Sequence, residues 1–110
     1  MSIIYSDVEF TEPIQLTVWN PPSRAGLYAI LISAPRMKPK PFEVVYFGES
    51  EDMSERGFSS HHSRPCWINQ AGSERNLWIS VHLMPGSTKE ERTNIESALV
   101  DRYNPSCNRV

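Results

Sequence analysis

Three prolines in seven positions constrain this chain more than any other feature. Pro35, Pro39 and Pro41 stand between two apolar, β-prone runs, Gly26-Leu27-Tyr28-Ala29-Ile30-Leu31-Ile32 and Phe42-Glu43-Val44-Val45-Tyr46-Phe47-Gly48. Proline offers no N–H to a ladder, so residues 33–41 read as a loop and the two flanking runs as strands. The pairing that follows is antiparallel, across one long hairpin.

The other elements are arranged around that pair. Ile14-Gln15-Leu16-Thr17-Val18-Trp19 alternates apolar and polar before Asn20-Pro21-Pro22-Ser23 breaks it, so residues 1–23 are expected to form an edge strand or an extended arm. Ser50 ahead of Glu51, Asp52 and Glu55 suits a helix start. Pro65 opens or interrupts a short helix, and residues 76–84 read as a third strand ended by Pro85-Gly86. Ser87-Thr88 with Glu90-Glu91 is a capping-box pattern. It opens a helix whose apolar stripe is Ile95, Ala98, Leu99 and Tyr103, and which ends near Asn104-Pro105. Lys89, Glu90, Glu91 and Arg92 are expected as its exposed first turn. The expected fold is α+β: a small three-stranded, mostly antiparallel sheet flanked by helices, with residues 24–110 as the domain. A chain of 110 residues has room for one core.

Charge and cysteine usage narrow the class. The formal net charge is −2, which argues against a bulk-basic nucleic-acid coat but leaves room for a local basic face. No apolar run approaches a membrane span. Cys66 and Cys107 form no CxxC pair and, behind an N-terminus that turns polar at once, read as reduced thiols of a cytoplasmic protein. His62 and Cys66 are four apart, but a structural zinc site needs four ligands and neither His82 nor Cys107 completes a second pair.

Singly, the polar candidates have ordinary explanations: strand tyrosines pack cores, and helix arginines and glutamates face water. As an ordered set they do not. Gly26-Leu27-Tyr28, Tyr46-Phe47-Gly48, Arg56 eight residues after that glycine, Glu96 on the last helix, and Asn108 twelve residues beyond it resemble the GIY-YIG nuclease superfamily over residues 24–110. Two differences in spacing accompany the resemblance. The spacer between the tripeptides, residues 29–45, is longer than the family's usual one. Ser60, not a histidine or tyrosine, stands four residues after Arg56, with His61 and His62 just beyond.

The resemblance implies a divalent-metal-dependent endonuclease that hydrolyses DNA phosphodiester bonds. Glu96 would hold one Mg²⁺ or Mn²⁺, Arg56 would fork onto phosphate oxygens, and Tyr28 would take the proton of the attacking water. Tyr46 would position water or phosphate, His61 would join the site, and Asn108 would fix the backbone nearby. Arg36, Lys38, Lys40 and Arg64 are the candidate DNA-backbone contacts. A homodimer or a protein partner would supply specificity. The alternative is a member of the same fold that binds nucleic acid or protein without cutting.

Overall fold

The central strands pair as the proline-bounded runs require. In the computed structural model, which describes residues 2–33 and 42–109, β4 (Gly26–Ser33) lies antiparallel to β5 (Phe42–Ser50). β6 (Leu77–Leu83) pairs with the other side of β4. The sheet has a fourth strand where three were expected. β3 (Ile14–Gln15) adds antiparallel to β6, giving the order β3-β6-β4-β5. The alternating run 14–19 is therefore a strand for two residues only, and Leu16–Val18 turns into a 3₁₀ segment.

The residues before β3 are not a loose arm. β1 (Ile3–Tyr5) and β2 (Val8–Phe10) form a hairpin whose two-residue turn, Ser6-Asp7, has positive φ at both positions, 48° and 69°. Mirror-image turns of that kind match the twist of paired strands. Neither residue is the glycine or asparagine that usually announces one, so the sequence pattern does not reveal it. The hairpin delivers Tyr5 and Phe10 into the core beside Phe47 and Tyr103.

Each face of the sheet carries one helix. α1 (Arg64–Ala71) brings Trp67 to Tyr28, Ile30, Ile79 and Val81 on one face. α2 (Lys89–Tyr103) brings Leu99 to Leu27, Ala29, Leu31 and Phe47 on the other. The capping box of α2 is complete: the Glu91 N–H donates to Thr88 Oγ1 (3.1 Å) and the Thr88 N–H donates to Glu91 Oε1 (2.8 Å). The helix stops at Asn104, which takes the left-handed conformation ahead of Pro105. Its buried stripe runs through Leu99 with Ile95, Val100 and Tyr103, and Ala98 is exposed. The helix expected near residues 50–60 is instead two 3₁₀ turns, Met53–Glu55 and Phe58–Ser60. Gly57, at φ 70°, separates them and prevents a continuous helix.

Arg92 and the cysteines also depart from expectation. Arg92 is only 3% exposed. Its Nε donates to Glu49 Oε1 (2.9 Å), and its Nη1 donates to the carbonyl and hydroxyl of Ser87 (2.8 and 2.9 Å). An arginine goes inside when its donors are met, and strand β5 supplies the acid. Cys66 and Cys107, read as reduced thiols, form a disulfide that ties α1 to the C-terminal turn Ser106–Arg109. Their positions 41 residues apart gave no hint of contact, because only the packing of both segments against β5 brings them together.

Closing a loop of 41 residues restricts the unfolded chain, which the chain-entropy relation values at about 4 kcal/mol. Chemical denaturation with and without reductant should show a loss of that order on reduction. Cys107→Ser should reproduce it and remove the sensitivity to reductant.

Candidate active site

The site is set up by one close approach. Tyr28 and Gly48 stand directly opposite in the β4–β5 ladder, and residues so paired point to the same face. A Cβ on Gly48 would lie 2.3 Å from Tyr28 Cζ and 2.4 Å from its hydroxyl oxygen. The phenol therefore lies flat across the edge strand at the one position without a side chain. Gly26 is similarly enclosed, since a Cβ there would meet the His82 carbonyl oxygen at 2.4 Å.

A bulge brings in the second tyrosine. The register runs Ile30↔Tyr46 and then Leu31↔Val44, so Val45 is the extra residue on β5. In a regular strand Tyr46 would share the face of Val44, which packs toward α2. The extra residue switches faces, and Tyr46 joins Tyr28 with ring centroids 6.1 Å apart. Asn108 holds this stretch of the strand. Its Oδ1 accepts from the Phe47 N–H (2.8 Å) and its Nδ2 donates to the Phe47 carbonyl (2.9 Å), so the side chain acts as a neighbouring strand on the open edge of β5.

His61 and Arg56 come from the turns between β5 and α1. Tyr28 Oη lies 2.9 Å from His61 Nε2, and Arg56 Nη2 lies 2.9 Å from the same nitrogen. The Ser63 N–H donates to His61 Nδ1 (3.0 Å). With Nδ1 occupied as an acceptor, the proton of a neutral imidazole sits on Nε2 and points at the Tyr28 oxygen. Arg56 has only donors to offer, so its N–H finds an acceptor in the Tyr28 oxygen rather than on the imidazole. Burial, then the charges of Arg56 and His62, push the His61 pKa down to about 3, keeping the ring neutral. The imidazole packs on Trp67 and Tyr46 (centroids 4.6 and 5.2 Å), which fixes its plane.

Glu96 completes the electrostatics. α2 packs against the opposite face, along the edge strand β5, yet the Glu96 charge raises the pKa of both Tyr28 and Tyr46. The site thus forms where the two faces of the sheet meet at that edge. Burial, with the neighbouring Glu49 charge, pushes the Glu96 carboxyl up to about 7. Burial is also the largest cause of the raised tyrosine values, with the second phenol adding to it at Tyr28 and the Arg56 guanidinium opposing.

Glu96 is the carboxylate at this edge that could hold a divalent cation. Glu96 is half-buried beside a second carboxylate, and Glu49 is already held by Arg92. Among the described residues no three His, Cys, Asp or Glu side chains gather as a ready-made cage. One carboxylate with water and substrate oxygens is an arrangement Mg²⁺ accepts, whereas zinc would need nitrogen or sulfur ligands. Cys66, once a zinc candidate beside His62, is bound in the disulfide.

Of the sequence-derived residues, Tyr28, Tyr46, Arg56 and His61 come into mutual contact, Glu96 acts on them through its charge, and Asn108 braces β5. Arg64 is committed elsewhere: it pairs with Glu74 and donates to the Phe58 carbonyl (3.3 Å). Arg36, Lys38 and Lys40 lie outside the described residues. Sequence reasoning missed Ser63, whose N–H sets the imidazole tautomer, and the Glu49–Arg92 pair. A lone acid immediately after Gly48 was the available signal for the pair.

Two outcomes follow. Gly48→Ala forces its methyl into the Tyr28 ring and should cost about 1–3 kcal/mol in denaturant unfolding, with the tyrosine displaced. The raised Glu96 pKa means that the folded state holds its proton more tightly than the unfolded one. Its stabilising contribution is full below the ordinary value of 4.5 and is lost as pH rises through about 7. In EDTA, the melting temperature of Glu96→Gln relative to wild type should therefore rise between about pH 5 and about pH 8.

A scan against models of protein families, a search of curated proteins and a search of solved structures each returned no match to this chain.

Proposed function

We propose that this protein is a metal-dependent endonuclease of the GIY-YIG type, hydrolysing DNA phosphodiester bonds at the β5 edge. The observation that carries the reading is the convergence of Tyr28, Arg56 and His61 within hydrogen-bonding distance of one another, with the Glu96 charge acting on the same phenols.

Hydrolysis needs a proton acceptor for water and positive charge for the phosphate oxygens. Tyr28 Oη receives the Nε2–H of His61 and faces the Arg56 guanidinium, so two donors stabilise the oxygen as it becomes a phenolate. Tyr28 first gives up its phenolic proton to solvent; water then attacks phosphorus and passes a proton to the phenolate, the P–O3′ bond breaks, and the departing 3′ oxygen takes a proton from solvent. Arg56, whose guanidinium also hydrogen-bonds Tyr28, turns its remaining N–H groups toward the non-bridging oxygens. Tyr46 orients the incoming water from the adjoining strand position. A Mg²⁺ or Mn²⁺ on Glu96 would neutralise charge on the phosphate. Burial, with the Tyr46 and Glu96 charges, holds Tyr28 protonated, so a divalent cation on Glu96 would supply the positive charge that brings the phenolate within reach.

The acidic total charge favours the second reading, a fold that binds nucleic acid or protein without cutting. Nicking of supercoiled plasmid separates the two. Wild type should nick with Mg²⁺ and not with EDTA, Glu96→Ala should be inactive, and Tyr28→Phe should fall by about 10²–10⁴-fold. Absence of nicking by wild type under any metal would leave the non-cutting reading.

A further inference from the structure

Beside the reactive cluster lies a second feature that the proposed chemistry does not use. An open depression of about 640 Å³ is lined by Ser59, Ser60, His61, Arg64, Pro65, Ile68 and Asn69. It shares His61 with the catalytic cluster, so whatever fills it is next to the scissile phosphate. Its size falls within the range of about 300–1,000 Å³ typical of sites for small organic groups.

The lining excludes a second phosphate. The Arg64 charge is taken up by Glu74, and the remaining side chains are neutral. Pro65 and Ile68 offer apolar surface, while Ser59, Ser60 and Asn69 offer hydroxyls and an amide. Apolar surface with a few neutral donors and acceptors matches a nucleobase: a flat, weakly polar ring with a hydrogen-bonding edge. The shape matters too. Bases within a duplex are stacked and present only their edges in the grooves, so an open apolar surface that receives the face of a ring takes a base that has left the stack.

We infer that this depression is a subsite for an unpaired nucleotide adjoining the scissile phosphate, which makes bulged, flapped or otherwise interrupted DNA the preferred substrate. The inference rests on the nuclease reading for its placement of the phosphate at the Tyr28–Arg56–His61 cluster. Apart from His61, its lining residues take no part in the chemistry, so the two can be tested apart.

The test is equilibrium binding in EDTA, by fluorescence anisotropy, of a labelled duplex carrying one unpaired nucleotide against the same duplex fully matched. Wild type should favour the interrupted duplex by about tenfold, the order expected for placing one base on a protein surface. Ile68→Glu should bring that preference close to one while leaving affinity for matched duplex within about twofold. Ser60→Glu, at an exposed rim position, should do the same and guards against misfolding of the Ile68 variant. Equal affinity of wild type for both duplexes, no binding to either, or a preference unchanged in both variants would overturn the subsite. Cleavage of both duplexes in Mg²⁺ at equal rates would also overturn it, with the nuclease reading left standing. A binding preference lost in the variants, with no cleavage of either duplex, would retain the subsite and remove the nuclease.

Discussion

The contact between the Tyr28 ring and Gly48 is what the rest of the site depends on. A side chain on a central strand normally rises from the sheet and is covered by a helix. Here the opposite residue has no Cβ, so the phenol lies down across the edge strand and carries its oxygen toward the margin of the sheet. That placement makes it possible for a residue of one face, His61, and the charge of a residue on the other face's helix, Glu96, to act on one hydroxyl. The bulge at Val45 supplies the companion ring by turning Tyr46 to the same face. Two backbone features, a missing Cβ and one extra residue, thus define the geometry.

Around this hydroxyl the protein assembles more donors than acceptors. Ser63 occupies one nitrogen of His61, the other nitrogen's proton points at Tyr28, and Arg56 adds a guanidinium with no matching acceptor on the ring. The Arg56 N–H therefore finds its acceptor in the Tyr28 oxygen, so two donors meet on one hydroxyl. The opposite imbalance sits on α2, where Glu96 lies near Glu49. The buried Arg92 holds Glu49 in place one helical turn before Glu96, so the second acid cannot move away from the first. The Arg56 guanidinium and the Glu96 carboxylate thus act on the same phenols with opposite effect, one lowering and the other raising their pKa values.

The C-terminal turn gives this edge its rigidity. β5 is an edge strand, and an open edge is free to bend or to pair elsewhere. Asn108 meets both polar groups of Phe47, between Tyr46 and Gly48, and the disulfide beside it anchors the turn to α1. Cys66 neighbours Trp67, the residue that fixes the His61 ring. One covalent link therefore joins the supports of the imidazole to the supports of the strand.

How much of this was legible in the sequence differs by element. The Pro35–Pro41 segment bounding two β-prone runs, the Thr88–Glu91 box and the Asn104-Pro105 stop are local signals, and each corresponds to a strand pair, a helix start and a helix end. The resemblance to the GIY-YIG motif set singled out Tyr28, Tyr46, Arg56 and His61, which the fold gathers. The fourth strand, the N-terminal hairpin and the split of residues 50–60 into two tight turns were not legible. Each is decided by backbone geometry that common residues adopt only when the rest of the fold rewards it. The burial of Arg92 and the Cys66–Cys107 bond lie still further from local reach. Both join segments distant along the chain, and a pattern of neighbours cannot specify a partner that packing alone brings near. The sequence by itself determined the central strand pair, the start and end of the last helix, and which side chains were candidates for a site. The tertiary structure decided which of those side chains meet, because meeting depends on strand register, a bulge and the closing of the C-terminal turn.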